Sequence, residues 1–233
     1  FKKKTKIDCI IHCLGNHDYK KEKDLISANE NSLINLLDSV GNNFQKFIFI
    51  SSHTIFGDVN KTNISENTKS NKIINSYACS KINSENWIRL YSNLYQNKSF
   101  TILRFTGFIE GKGLVKYIIS QAMHNKTIKL YNSGKLYRDY LNIENAIQSI
   151  KKAIKHSKKG IKCYNIGSGQ LITTYKLAKI IVNKLESKSK IINVKTKGYL
   201  ENFVFNIDNA KKNLNYRPKK LSQIVLDYVI KKI

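Results

Sequence analysis

The chain has 233 residues, enough for one large domain or two small ones at the usual roughly 100–200 residues each. Hydrophobic residues make up 41% and charged residues 24%, which excludes a disordered, collagen-like or fibrous chain. Lys and Arg total 41 against 16 Asp and Glu, a formal charge of +25, and no apolar run approaches the roughly 18 residues of a membrane span.

Apolar runs of four to six residues alternate with stretches of helical periodicity, the pattern of α/β units built on a parallel sheet. Ile7–Leu14 reads as a buried strand ending at Gly15. Leu25, Ile26, Leu33, Ile34, Leu36, Leu37 and Val40 keep helical spacing and stop at Gly41. Phe47–Ile50 is a second buried strand running into Ser51-Ser52. The polar stretch 58–75 reads as a long loop. A helix follows from Tyr77 to Tyr95, then a third strand at Phe100–Phe105. Beyond Gly107 the spacing predicts helices near 113–124, 144–156, 173–187 and 221–231. Short strands are predicted near 127–131, 137–141, 162–166 and 190–194. The expected architecture is α/β: a Rossmann-type doubly wound parallel sheet over residues 1–106 and a smaller α/β part over 107–233, with some segments of the second returning to the first.

The charge is uneven, +9 over residues 1–150 and +16 over 151–233. Only four of the cations are Arg (Arg89, Arg104, Arg138, Arg217), whereas base-edge readout relies on Arg. The 27 Asn and single Pro fit a low-GC coding bias, so nucleic acid is not the expected partner; the basic final third suits a small anionic substrate equally well. Cys9, Cys13, Cys79 and Cys163 form no paired CxxC pattern, and Cys9 and Cys13 share a strand face that His12 does not. The expectation is buried free thiols in a reducing compartment, a cytoplasmic location and no metal site.

Tyr77 and Lys81 are spaced i, i+4, so on a helix the phenol and the ammonium lie side by side. A neighbouring cation favours phenolate and would lower the Tyr77 pKa, making a proton shuttle near neutral pH. Alone the pair is a weak signal; an aromatic packing beside an exposed Lys has the same spacing. Ser52 ends the preceding apolar strand, where open α/β sheets place their ligand crevice. It could bind a substrate hydroxyl or cap the following turn.

With these residues in hand, the chain resembles the extended short-chain dehydrogenase/reductase family, in its NAD-dependent nucleotide-sugar epimerase and dehydratase branch. Ile10-Ile11-His12-Cys13-Leu14-Gly15 resembles the strand that ends beside the cofactor, Asn29 a structural Asn on the next helix, and Ser51-Ser52 through Gly57-Asp58 the serine strand and turn. Ile102-Leu103-Arg104-Phe105, Tyr137–Ala146 with its Arg138-Asp139 pair, Tyr164–Gly169 and Asn213–Pro218 follow in family order. The resemblance implies a catalytic set of Ser52, Tyr77 and Lys81. It implies NAD, with NADP left open, held by Cys13, Leu14, Gly15, Asn29, Ser51, Tyr77, Lys81 and Thr106. A nucleotide-diphosphate sugar would lie against Ser52, His53, Tyr77, Gly107 and Arg138, the Arg guanidinium on the diphosphate. A homodimer built on the Tyr77 helix and the helix near 25–40 is implied by the same analogy. The implied reaction is epimerisation through a 4-keto sugar. A sugar-nucleotide reductase or dehydrogenase and a non-catalytic binding or assembly relative remain as alternatives.

The sequence departs from the family pattern at several points. The Gly-rich phosphate turn is expected upstream of Ile7, and none of the 11 glycines makes it. Gly111-Lys112-Gly113 follows the wrong strand. The Ile7–Leu14 strand is therefore expected at an apolar sheet edge, and the chain is expected to be a fragment of a longer protein rather than a natural truncation. His53 and Thr54 stand where the dehydratases carry an Asp-Glu pair, which argues against removal of water. Because His53 is not needed by an epimerase, it is expected to point away from the site as a structural residue. Gly107 replaces a frequent Asn, Glu110 a Gly, and a second phosphate-binding Arg expected near Gly198 is absent, with Lys195 and Lys197 nearby. A pyrophosphate is normally held at a Gly-rich helix N-terminus, so titration of the chain with NADH, followed by fluorescence, is expected to show weak binding or none. A micromolar dissociation constant would overturn that expectation.

Overall fold

The computed structural model describes residues 6–17, 21–70, 72–194 and 201–231. Its central sheet is parallel, in the order β1-β2-β4-β8, formed by Ile7–His12, Phe44–Ser52, Ser99–Phe105 and Gly160–Ile166. Phe47, Phe49, Phe100 and Ile102 face one side, and Ile48, Leu103 and Phe105 the other. Strands buried on both faces need continuous apolar runs, and that is why these strands were legible. As expected, β1 is an edge strand among the described residues, with Ile11 41% exposed.

One face of the sheet carries α2 (Ser32–Val40) and α3 (Ser76–Leu94), which bring Leu33, Leu37, Ile88 and Tyr91 onto the phenylalanines. The other carries α5 (Ile143–His156) and α7 (Asp208–Leu214), through Ala146, Ala153, Ala210 and Leu214. A separate core joins α4 (Leu114–Met123), β6 (Ile128–Tyr131), α6 (Thr174–Lys184) and α8 (Leu221–Ile230) through Ile118, Leu130, Leu177 and Val225. Here β6 pairs with β9 (Ile191–Val194). None of the described helices is long and apolar enough to cross a membrane.

Three readings need correction. The stretch 58–75 is not all loop: Lys61–Ile64 forms β3, paired in parallel with β10 (Phe203–Phe205), a strand the sequence did not announce. The strand predicted over 137–141 shrinks to β7 (Tyr140–Leu141), paired with β5 (Gly107–Phe108), while Tyr137 and Arg138 make single bridges to Thr173 and Phe203. The helix over 25–40 is three pieces: α1 (Glu22–Ile26), a π-helical turn at Ser27–Asn31, and α2. The turn coincides with Asn29, which is 1% exposed and occupied with partners outside the helix.

The rotation of α3 on the sheet is set by a buried ion pair. Arg104 of β4 donates to both oxygens of Glu85 on α3, at 2.9 and 2.7 Å, with the two side chains 8% and 5% exposed. Ser51 donates to Oε1 of the same carboxylate at 2.7 Å, and Arg104 Nη1 donates to the Glu66 carbonyl at 2.9 Å. A fork of this kind fixes direction as well as distance. Removing Arg104 leaves the buried Glu85 with only the Ser51 hydroxyl and the half-exposed Arg89, 3.5 Å away, and loss of a buried partner costs about 3–5 kcal/mol. Arg104→Ala is therefore expected to lower the unfolding free energy by that amount in urea titration; a loss below about 1 kcal/mol would show that the pair does not govern the packing.

Candidate active site

The carboxyl ends of the central strands make one rim. From β1 it receives Cys13, Leu14 and Gly15, all exposed. From β2 it receives Ser52, and from β4 Thr106, which is 4% exposed and has a hydroxyl without a hydrogen-bond partner. The first turn of α3 delivers Tyr77. Asn75 caps that helix, its Oδ1 accepting from the Ala78 N–H at 2.8 Å, so the turn is held at the rim. Tyr77, Lys81 and Glu85 follow at i, i+4 and i+8, a single helix face that the Arg104 fork turns toward the strand ends.

The structure brings the expected trio together. Tyr77 lies beside Ser52, close enough for the serine hydroxyl to act on the phenol's pKa. Lys81 is 4% exposed, with Nζ 5.9 Å from the Tyr77 ring centroid, 4.9 Å from that of Phe49, and donating to the Ile50 carbonyl at 3.0 Å. Burial lowers the Lys81 pKa to about 8, against the opposing pull of Glu85 and Cys13. The expectation that Lys81 draws the phenol down is not met. Burial raises the Tyr77 pKa, and the opposing pull comes from the Ser52 hydroxyl. Ser52 also accepts from the Thr54 N–H at 3.2 Å and the Thr54 hydroxyl at 3.0 Å, so it both caps the turn and meets the phenol.

Two residues expected at the cofactor have other engagements. The Ser51 hydroxyl faces Glu85, because successive strand residues point to opposite faces. The Asn29 amide bridges the loop after β1 to α3. Its Oδ1 accepts from the Asn16 N–H at 2.6 Å, and its Nδ2 donates to the Asn16 carbonyl and to Ser80 Oγ, both at 2.9 Å. This bridge holds Gly15 against Lys81: a Cβ on Gly15 would lie 3.3 Å from Lys81 Nζ and 3.3 Å from Asn29 Oδ1. His12, buried on the other strand face from Cys13, stacks on Phe49 with ring centroids 5.7 Å apart. The four cysteines are free but not buried as expected: Cys13 lies exposed at the rim, beyond the end of β1, and Cys9, Cys79 and Cys163 are partly exposed; no cluster of metal ligands occurs among the described residues.

Beyond the trio lie two adjoining cavities. The larger, about 530 Å³, is lined by Leu114, Tyr117, Tyr131, Leu136, Arg138 and Tyr140 among others. The smaller, about 180 Å³, shares Arg138 and Tyr140 with it and adds His53, Thr54, Ile74 and Gly107. Arg138 thus stands on the wall between them, and Thr54 leads to Ser52. The wall is held by Asp139, whose Oδ1 accepts from the Ser168 N–H at 2.8 Å and Ser168 Oγ at 2.6 Å. Its Oδ2 accepts from the Gly169 and Phe205 N–H groups, both at 3.3 Å. Gly167 is required beside it, since a Cβ there would collide with Oδ2. His53 does not point away from the site: it lines the smaller cavity, edge-on to Phe203 at 5.2 Å. Sequence reasoning missed Glu85, Ile74, Tyr140 and Phe203 as parts of this region. Of these, Glu85 alone carried a signal, its i+4 spacing from Lys81. Lys195, Lys197 and Gly198 lie outside the described residues.

A Rossmann-type sheet with Ser, Tyr and Lys converging at its carboxyl rim defines a short-chain dehydrogenase/reductase-like protein. The profile of the NAD dependent epimerase/dehydratase family matches residues 1–167, and the chain belongs to that family. A dTDP-4-dehydro-6-deoxyglucose reductase of Escherichia coli is 27% identical over 247 residues, covering 97% of this chain and 75% of its own. The UDP-glucose 4-epimerase of Thermotoga maritima, solved with UDP-glucose, superposes with a TM-score of 0.80 at 18% identity, over 97% of this chain and 78% of that one. The UDP-glucuronic acid 4-epimerase of Bacillus cereus, solved with NAD, gives 0.80 at 19% identity, over 97% and 75%.

Burial pushes the His53 imidazole down to about 4, the Arg138 charge acting in the same direction and a hydrogen bond with the Phe105 backbone against it. A depressed His pKa means that the unfolded chain binds more protons between about pH 4 and 6.5, so this group's contribution to stability is lost as pH falls through that window. The His53 ring carbons are expected to show no NMR titration from pH 8 down to pH 5.5, about one and a half units above that pKa. A midpoint near the ordinary value of about 6.5 would refute the enclosure.

Proposed function

We propose that this chain carries the catalytic and substrate-binding machinery of a nucleotide-sugar 4-epimerase. The observation that carries the reading is the continuity of the site: a large cavity, then Arg138 on its wall, then a small cavity, then Thr54, its hydrogen bond to Ser52, and Tyr77 beside that serine. A nucleoside would occupy the larger cavity between its tyrosines, with the diphosphate at the Arg138 guanidinium. The sugar would then reach Tyr77 with a ring hydroxyl.

The residues at the rim fit the nicotinamide end of NAD. Lys81 is a buried cation facing the exposed Cys13–Gly15 segment, and the Thr106 hydroxyl is buried with no protein partner. When bound, NAD would supply the hydride acceptor and donor for the sugar carbon, with the keto sugar turning over between the two transfers so that it is reduced on its other face. Tyr77 removes the hydroxyl proton and later restores it, while Ser52 orients the oxygen. With its pKa near 8, Lys81 is largely protonated at neutral pH, so it can hold ribose hydroxyls and stabilise a developing phenolate. Asn29 acts through position, by tying the Cys13–Gly15 loop to α3. The lack of carboxylates at His53 and Thr54 favours epimerisation over dehydration, because no acid–base pair is there to expel water.

Pairing of two copies through the exposed face of α3, where Leu90 is 46% and Leu94 63% exposed, is part of the same proposal.

General acid–base catalysis by one side chain contributes roughly 10²–10⁴ in rate. In a longer form of the protein that includes the Gly-rich phosphate turn expected upstream of Ile7, Tyr77→Phe is expected to lower epimerisation of a nucleotide sugar by that factor, measured as product sugar per active site, with no net change in cofactor absorbance for the parent protein. Near-normal turnover in the variant would remove Tyr77 from the mechanism, and net NADH production or consumption would point to a dehydrogenase or reductase instead.

A further inference from the structure

We propose that the small cavity is a sugar subsite selecting for an uncharged, methyl-bearing substituent and against a sugar carboxylate. The inference rests on the nucleotide-sugar reading above and adds a substrate class to it. Three features of the cavity point the same way.

The first is its charge. Among the described residues lining it, Arg138 is the sole permanent cation, and it stands on the wall shared with the larger cavity, where the diphosphate competes for it. Asp139 is a second wall residue, its carboxylate filled by hydrogen bonds from Ser168, Gly169 and Phe205. His53 stays neutral through the physiological range, since burial holds its pKa near 4. A carboxylate entering here would lose its water without gaining a cation of its own, beside an existing acid.

The second is its apolar surface. Ile74, Phe203 and the Tyr140 ring line it. Ile74 is 40% exposed and directly precedes Asn75, the cap of α3, so its place is tied to the helix that carries Tyr77. The approach to Ile74 is fixed as well. Gly57, at φ 62°, lies so close beneath the Lys72 carbonyl that a Cβ on it would collide with that oxygen. An apolar side chain held this way gains from a methyl group and gives nothing to a charge.

The third is space. A Cβ on Gly107 would meet nothing within 4 Å, although the residue lies in β5 and pairs with Tyr140 of β7. The backbone there is not in the left-handed region, so a side chain is permitted and its absence leaves room in the subsite.

The test uses the whole chain and isothermal titration, in the presence and absence of NAD, with UDP, UDP-glucose, UDP-N-acetylglucosamine and UDP-glucuronic acid as probes, and dTDP as a second nucleotide. UDP-glucose and UDP-N-acetylglucosamine are expected to bind at least as tightly as UDP, and UDP-glucuronic acid at least ten-fold more weakly than UDP-glucose. Gly107→Val should weaken UDP-N-acetylglucosamine ten-fold or more while leaving UDP unchanged. Ile74→Lys should raise the affinity for UDP-glucuronic acid relative to UDP-glucose. Equal binding of the glucuronic acid and glucose compounds overturns the subsite while the nucleotide-sugar reading stands. A Gly107→Val variant that loses UDP and UDP-N-acetylglucosamine alike does the same, because its effect is then on the fold. If neither UDP nor dTDP binds, the nucleotide-sugar reading fails and the subsite with it.

Discussion

The bidentate pair between Arg104 and Glu85 is the constraint on which the arrangement of the site depends. It joins the middle of the sheet to the middle of α3, and it does so in one orientation, because a guanidinium and a carboxylate meet edge to edge. Lys81 and Tyr77 sit one and two turns from Glu85 on the same helix face. Turning the helix by one residue, about 100°, would carry both away from Ser52. Ser51 and Glu66 add further contacts to the same pair, so β2, β4, α3 and the segment after β3 are registered by one cluster. Glu66 also reaches β8, its Oε1 accepting from the Asn165 N–H at 2.9 Å. A buried pair is weak evidence for net stability, and its role here is better described as fixing geometry.

A second buried acid does comparable work without a cation. Asp139 is 5% exposed and gathers N–H and O–H donors from two distant stretches of chain, at Ser168–Gly169 and at Phe205. Burial raises its pKa while those hydrogen bonds oppose the rise. These bonds fix the backbone beside Arg138, which lines both cavities. The Tyr216 hydroxyl, donating to the Gly167 carbonyl at 3.0 Å, closes the same corner from the C-terminal side.

What could be read from the residues follows from how each element earns its stability. The central strands bury both faces, so their sequences are continuous and apolar, and Phe47–Ile50 or Phe100–Phe105 could hardly be anything else. The i, i+4 spacing of Tyr77 and Lys81 is a property of the helix itself and needs no tertiary information. β3 is different: in Lys61-Thr62-Asn63-Ile64 only Ile64 is buried, and the strand exists because β10 lies beside it. β10 is itself three residues long, too short for any periodicity to register. The π-helical turn at Asn29 reflects contacts to Asn16 and Ser80, and helical spacing passes over it. Glu85 looks from the sequence like one more helix-surface acid, with Arg89 at i+4 as its natural partner. Its buried partner Arg104 is on the next strand, where pattern reasoning does not look. The lowered pKa expected of Tyr77 failed for a related reason: the pairing with Lys81 was legible, but the burial of the phenol, which outweighs the opposing pull, was not.

The pairing of β3 with β10 also has a consequence for the order in which the protein is made. Asn60 and Asn202, which flank it and hydrogen-bond at 2.7 Å, are 142 residues apart. At about 5–20 residues per second a ribosome needs roughly 7–30 s to travel that distance. During that interval Ser52, Tyr77 and Lys81 have all left the ribosome, while Phe203, which forms the wall opposite His53, has not yet been translated. The catalytic side chains are therefore old by the time the pocket they serve is complete. Through that interval nascent chains carry an open rim, with β3 as an unpaired edge.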